Sequence, residues 1–403
     1  MLCPSPSLAP PVFANETVGG SAAQTLSAFP ATAMEGLVVA VVGGSGFLGQ
    51  HVVAQLLAVQ PSVKEIRVID SKSYKPVIES PPEAAATVVF RRYDVVDEAE
   101  MGKALAGVEA VINCSAITPD FRKEDLGYDH RGRRVNLDGV KSLVAACQVA
   151  GVRVLVHTST LAVVMGGARI LEHTESLTPE VSESQLVLGQ YAIDRRRAEE
   201  EVLSAHLSAT LDGGVLQTVV LRPPLLYGEG DRSFVPVIVR LARAGGDRVP
   251  SVGDPEAFIQ AAYVGNVAAA HVCALRKLLT GTDEGLQKCG GLPIYVTDNT
   301  PPQNLPGLAQ PFIQHLNLKP SRLLPYWMVY LMLMLTAIWT SVWAVLGFAS
   351  RPSSLPSLTL HRFSGTATVV SKMRAELCIG FSPPYSWSEA QRRANLYYCK
   401  KIT

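Results

Sequence analysis

The chain has 403 residues with a formal net charge of +1, 18% charged residues and 48% apolar ones. That length allows more than one structural unit and a sizeable core, and the balanced charge gives no reason to expect nucleic acid. Seven cysteines, at 3, 114, 147, 273, 289, 378 and 399, contain no C-x-x-C pair. They read as reduced thiols of a cytosol-facing protein rather than a disulfide frame, and no metal site is expected.

Residues 1–35 are rich in Ala, Pro and Ser and hold no Lys or Arg, so they match neither a secretory signal nor a transit peptide. They read as a disordered extension, and the Asn15-Glu16-Thr17 triplet within it as silent. The next segment, Val38 to Val42, is an apolar strand running into Gly43-Gly44-Ser45-Gly46-Phe47-Leu48-Gly49, after which a helical pattern begins. Gly43 permits the tight turn, Gly46 lets backbone approach a pyrophosphate, and Gly49 lets helix pack on strand. The phosphates would rest on the N–H groups at the start of that helix. A second apolar strand, Ile66 to Ile69, ends in Asp70. An acid there can bond both hydroxyls of an adenosine ribose and repels a 2′-phosphate, which favours NAD as cofactor over NADP.

Strands are expected near 37–42, 65–70, 87–90, 109–113, 152–157 and 215–222, and helices near 47–59, 97–106, 132–150 and 190–206. This alternation predicts an α/β chain, with a Rossmann-type doubly wound parallel sheet over 36–225. The alternation loosens over 226–322, the expected smaller substrate-binding portion, where a helix is expected near 264–280. Residues 323–350 contain no charge and sit between Arg322 and Arg351. As a helix, Tyr326 to Phe348 would run roughly 35 Å, enough to reach across a hydrocarbon core, so it is read as membrane-associated. Its tryptophans and tyrosines are residue types that favour membrane interfaces.

Three segments carry chemistry: Val156 to Thr160 at a strand end, Tyr191-Ala-Ile-Asp-Arg195 on a helix, and Leu221 to Gly230. Ligands of α/β sheets bind beyond the carboxyl ends of the strands, where the first segment lies. Tyr191 and Arg195, at i and i+4, share one helical face.

With Gly46-Phe47-Leu48-Gly49, Thr158-Ser159-Thr160, Leu221-Arg222-Pro223, Tyr227-Gly228-Glu229-Gly230, Tyr263-Val264-Gly265-Asn266-Val267 and Tyr295 to Pro301, the chain resembles the extended short-chain dehydrogenases. Within them it is most similar to the 3β-hydroxysteroid dehydrogenase/isomerase family, over about 37–395. The resemblance implies NAD-dependent oxidation of a steroid or sterol 3β-hydroxyl to the 3-ketone, with the Δ5 to Δ4 isomerisation left open. It implies that Tyr191 is the acid/base, that Arg195 lowers its pKa, and that Thr160 holds the alcohol oxygen. It also implies that Asp94 and Val95 contact adenine, that Ser115 lies beside the nicotinamide ribose, and that Pro223 and Pro224 line the nicotinamide face. A steroid substrate, membrane lipid and a homodimer are the partners it allows, at the endoplasmic reticulum membrane with the catalytic part facing the cytosol.

One departure matters. The family pattern places Lys where this chain has Arg195, and the swap is not conservative at a close-packed site. Asp194 beside it is expected to neutralise it in part. Two alternatives therefore stand: a superfamily dehydrogenase or epimerase acting on another substrate, and a weakly turning NAD-binding protein. Simpler readings apply elsewhere. Arg195 to Arg197, ahead of Glu199 to Glu201, read as a solvated helix face. His157 reads as a strand residue, Asn136 as a family match or a core residue bonding backbone, and Asp298 as a turn closer. The charge-dense Asp120 to Arg134 reads as a surface loop and helix start. Residues 351–403 match parts that in relatives belong to the globular unit, so they are expected to return to it.

Overall fold

A computed structural model of the chain describes residues 34–59, 63–78, 86–121, 127–249, 252–253, 257–280, 289–320, 324–345 and 357–402. The expectations for the extension before Met34 and for residues 346–350 of the apolar segment lie outside the described residues, as do Cys3 and the Asn15 triplet.

The six expected strands form one parallel sheet, in the spatial order Val215–Arg222, Val154–Thr158, Ala110–Asn113, Val38–Val42, Glu65–Asp70, Thr87–Arg92. Helices cover both faces, so alternate residues of each central strand enter different cores. Val39, Val41, Val154 and Val156 join one apolar cluster, while Ala40, Val42, Val111 and Leu155 join the other. Burial on both sides explains why these strands are apolar throughout rather than alternating. Phe47–Ala58 and Val264–Thr280 pack together over the first face. Glu98–Ala104, Gly139–Ala150 and Gly189–Ser204 cover the second.

The expected helix at 132–150 is interrupted near its start. Arg134–Asp138 forms a π-helical turn, from which buried Asn136 exchanges two hydrogen bonds with the Ile117 backbone, at 2.8 and 2.9 Å. Asn136 is thus a core residue that pins the loop after the strand Ala110–Asn113.

Several short strands escaped the sequence reading. Pro293–Tyr295 extends the sheet beside Val215–Arg222. Leu225–Tyr227 pairs with Ala261–Tyr263, and Ile170–His173 pairs with Thr368–Val370. The last pairing brings the C-terminal segment onto the globular unit. Its final helix, Trp387–Lys401, buries Tyr398, whose hydroxyl donates to Asp231 Oδ2 at 2.9 Å and accepts from the Gly228 N–H at 3.0 Å.

The apolar helix Tyr326–Val345 is the exception to this burial. Trp327 is 67% exposed, Trp339 62% and Leu335 56%. Leu324–Pro325, just before it, pairs with Val252–Gly253. The helix Leu358–Ser364 packs back against it.

Candidate active site

A cavity of about 830 Å3 runs along the carboxyl ends of the strands, lined by the glycine turn, Asp70, Asp94, Ser115, Thr160, Tyr191, Arg195 and Pro224 among others. At the turn, Gly43 has φ +76°, and a Cβ there would lie 2.6 Å from Ser115 Cα. A Cβ at Gly49 would collide with the Gly43 carbonyl oxygen, so the helix starts tight against the turn only because both residues are glycine. Ser45, Gly46, Phe47 and Leu48 reach the cavity wall, whereas Gly44 and Gly49 lie beneath it.

Asp70 closes the turn from the neighbouring strand. Its carboxylate accepts the Ser45 N–H at 3.0 Å and the Lys72 N–H at 2.9 Å. Asp94 and Val95 reach the same cavity, and Val95 packs closely against Gly139. Ser115 is oriented by Asn113, whose Oδ1 accepts both its N–H at 3.0 Å and its hydroxyl at 2.6 Å. The Asn113 amide in turn meets His157 Nδ1 at 3.1 Å, so His157 is a buried strand residue supporting the wall.

On the other half of the sheet, the strand Val154–Thr158 runs out into Ser159 and Thr160. A buried network holds this exit in place. The Thr158 hydroxyl lies 2.7 Å from His271 Nε2, and His271 Nδ1 lies 2.7 Å from the Val267 carbonyl. Burial drops the His271 pKa to about 4, so at neutral pH its Nδ1–H donates to Val267 and its Nε2 accepts from Thr158. The Ser159 hydroxyl donates to Glu199, which also forms a two-pronged ion pair with Arg222, closest at 2.6 Å. Glu199, expected on a solvated helix face, is instead buried, and neither it nor His271 was legible as part of the site, because their partners Ser159 and Thr158 lie 40 and 113 residues away.

Tyr191 and Arg195 lie one turn apart on the helix Gly189–Ser204, and both face the cavity. Burial pushes the Tyr191 phenol above its ordinary pKa, while the Arg195 charge and a hydrogen bond with Thr160 pull it back down. The Tyr128 ring packs edge-on against Tyr191, with centroids 5.7 Å apart. Arg195 is 1% exposed, and one of its terminal nitrogens donates to the Thr158 carbonyl. Among the described residues its Nε and Nη1 have no hydrogen-bond partner. Leaving two guanidinium donors dry is costly, which favours an acceptor arriving beside them.

Two expectations are corrected at this helix. Asp194 does not pair with Arg195; its carboxylate accepts the Tyr128 hydroxyl at 3.0 Å and the Gln190 amide at 2.7 Å. The arginine run is not a solvated face either. Arg195 is buried, and Arg196 donates to the Val163 and Val181 carbonyls. Only Arg197 makes an exposed ion pair, and its partner is Glu183 rather than a residue one turn along. Asp298 does close its turn through the Thr300 N–H at 2.9 Å, and it also accepts from the Tyr263 N–H and Asn266 at 2.8 Å.

The residues present fit a dinucleotide. Gly43 and Gly49 have no room for a Cβ, so the turn stays tight with Ser45 to Leu48 on the cavity wall, Asp70 offers a carboxylate beside it, and Arg195, with two donors unpartnered among the described residues, lines the same cavity. The parallel sheet, this cradle and the Tyr191–Arg195 pair define the molecule as a Rossmann-type protein of the short-chain dehydrogenase class. Solved structures share the fold: an epimerase, Mth375, from Methanothermobacter thermautotrophicus superposes with a TM-score of 0.65 at 16% identity, covering 92% of this chain and 95% of that one. UDP-glucose 4-epimerase of Thermus thermophilus, solved with NAD, gives a TM-score of 0.59 at 21% identity, covering 91% of this chain and 100% of that one.

The sequence narrows the class further. Residues 40–326 match the 3-beta hydroxysteroid dehydrogenase/isomerase family. A Mus musculus relative, 3 beta-hydroxysteroid dehydrogenase type 7, is 29% identical over 367 residues, covering 89% of this chain and 94% of the relative. The 3 beta-hydroxysteroid dehydrogenase/Delta 5-->4-isomerase of Vaccinia virus (strain Western Reserve) is 29% identical over 360 residues, covering 88% and 97%. The chain belongs to the 3-beta hydroxysteroid dehydrogenase/isomerase family.

Proposed function

We propose that this protein oxidises the 3β-hydroxyl of a steroid or sterol to the ketone, using NAD. The chain is an enzyme of NAD-dependent oxidoreductase type. What carries the steroid reading is the meeting of Tyr191, Thr160 and Arg195 on one wall of a cavity that also holds the glycine cradle, in a chain of this family. The exposed apolar helix adds support, because a substrate that dissolves in lipid is best collected at a membrane surface.

NAD, when bound, supplies the hydride acceptor. The glycine turn would receive its phosphates, Asp70 the adenosine ribose, Asp94 and Val95 the adenine, Ser115 and Arg195 the second ribose, and Pro224 the nicotinamide side. Thr160 would hold the alcohol oxygen, and Tyr191 would take its proton. A free phenol has a pKa near 10, and burial drives this one higher, so Arg195 must supply the compensating charge. The apolar helix would seat the protein on the endoplasmic reticulum membrane, lying in its surface, with the catalytic unit on the cytosolic side. We divide the chain into a cofactor unit over 36–225, a substrate portion over 226–322, the membrane-associated helix over 323–350 and a returning segment over 351–403.

The test is a sterol panel with NAD and detergent-solubilised protein, following absorbance of the reduced cofactor. The same products, examined for the ultraviolet band of a conjugated enone, report any shift of the double bond. Tyr191→Phe should lower kcat by about 10²- to 10⁴-fold with NAD binding retained. Turnover unaffected by that change would remove Tyr191 from the chemistry. A second reading, a nucleotide-binding protein with little turnover, draws on the bond that commits one Arg195 nitrogen to Thr158. It would be favoured if neither the natural chain nor Arg195→Lys oxidised any alcohol while both bound NAD.

A further inference from the structure

The short helix Leu358–Ser364 has two faces with different neighbours. His361 stacks on Tyr326, ring centroids 4.1 Å apart and planes within 18°, and its Nε2 lies 3.1 Å from the Tyr326 carbonyl oxygen. Tyr326 is the first residue of the exposed apolar helix. Gly365 leaves space for this packing, since a Cβ there would collide with the Tyr326 ring.

Phe363 follows two residues after His361 and so points to the opposite side of the helix. Its ring lies 5.4 Å from that of Phe121, and both side chains line the cavity. A little further on, Thr368–Val370 pairs with Ile170–His173, in the segment that follows Thr160. Thr368 lines the cavity as Phe363 does, so this C-terminal segment supplies wall beside the chain that runs on from Thr160. Ile259 and Thr368 line the cavity too and form a backbone bridge with each other.

We propose that Phe121 and Phe363 form the end wall of the substrate pocket, in contact with the apolar body of a steroid beyond its reacting hydroxyl. The root of the exposed apolar helix sets the position of this wall. The inference rests on the steroid reading given above. Two phenyl rings make no hydrogen-bond demand and present flat apolar surface, which suits a fused-ring hydrocarbon and rejects a sugar nucleotide. Because His361 and Phe363 share one short helix, a displacement of Tyr326 at the membrane moves the wall of the pocket. Substrate fit is thereby tied to how the apolar helix is seated.

The experiment compares Phe363→Ala, Phe363→Leu, Phe121→Ala and Tyr326→Ala with the natural full-length chain in phospholipid nanodiscs. Kinetics are measured on two 3β-hydroxysteroids, one with a long aliphatic side chain and one without. Binding of NAD and of a fluorescent polyene sterol is measured in parallel. Phe363→Ala and Phe121→Ala should raise KM and weaken sterol binding by about tenfold or more, with kcat changed by less than about threefold and NAD affinity unaltered. Phe363→Leu should recover most of the loss, and Tyr326→Ala should raise KM in the same direction from outside the pocket. An unchanged KM in Phe363→Ala, on a sterol the natural chain oxidises, overturns the wall alone. So does a joint fall of kcat and NAD affinity, which marks a purely structural residue. A natural chain that holds NAD but neither binds nor oxidises any sterol overturns the steroid reading, and the wall with it.

Discussion

On the proposed reading, Arg195 is the residue on which the chemistry turns. A guanidinium has five donors in a rigid fork, and here one terminal nitrogen is spent on the Thr158 carbonyl. The buried Nε and Nη1 have no acceptor among the described residues, and the Arg195 charge acts on Tyr191. Replacing it with Met should raise the Tyr191 pKa further, because burial would then act with less opposition. In the proposed oxidation Tyr191 acts as the deprotonated phenol, so the rising limb of the pH–rate profile should move to higher pH, with kcat at neutral pH down by about 100-fold or more. A profile unmoved by Arg195→Met would show that some other group takes the proton. Sequence made Tyr191 and Arg195 visible because their spacing defines a helical face whatever the tertiary structure. It did not reveal that Asp194 turns away toward Tyr128, a partner 66 residues earlier. Nor did it reveal that Arg196 is consumed by the Val163 and Val181 carbonyls. Side-chain partners of that kind are set by packing, which periodicity does not encode.

At the level of elements, what was legible follows from length and burial. The central strands are long apolar runs because helices cover both faces, and each expected strand is found within a few residues of its place. Three-residue strands such as Pro293–Tyr295 and Thr368–Val370 are too short to show a period, and exist only because a partner strand supplies their hydrogen bonds. The helix Trp387–Lys401 buries Ala390 and Ala394 in the main core and is tied to the rest of the chain by one hydroxyl as well. Tyr398 donates to Asp231 and accepts from Gly228, while Asp231 also caps the helix Val235–Ala244 through the N–H groups of Phe234 and Val235, at 3.0 Å each. Tyr398→Phe leaves the Gly228 N–H without its acceptor and removes one donor from a buried carboxylate. The expected cost is about 1–3 kcal/mol, read as a lower denaturation midpoint and faster amide exchange in the last helix. No change in either would show that the C-terminal helix is held by apolar packing alone.

For the whole molecule, the apolar helix poses a geometric problem that its neighbours answer. The chain enters it from the strand Leu324–Pro325 and returns to its first turn through Leu358–Ser364, so both flanks stand at the same end. Twenty residues of helix reach about 30 Å, the thickness of a hydrocarbon core. A crossing would oblige the chain between 345 and 357 to carry Arg351 back across the lipid, and a charge at the centre of a hydrocarbon core costs up to about 3 kcal/mol. A helix lying in the membrane surface avoids that cost and keeps residues 357–402 on the side where they pack. A protease should therefore remove a C-terminal tag from protein bound to the outside of sealed microsomes, and protection of the tag would show a true crossing. In the same assay, Leu335→Glu with Trp339→Glu should release the protein into the supernatant, since each added charge opposes insertion by up to about 3 kcal/mol.

The pairing of Thr368–Val370 with Ile170–His173 also bears on biogenesis. The ribosome delivers the exposed apolar helix before it delivers the strand that seals the seam at Ile170 and the tyrosine that donates to Asp231. A nascent chain arrested between those two events carries a greasy handle on an unfinished body. Such chains are what holding chaperones and quality-control proteases recognise, so late truncations should be degraded rather than accumulate as partly active fragments.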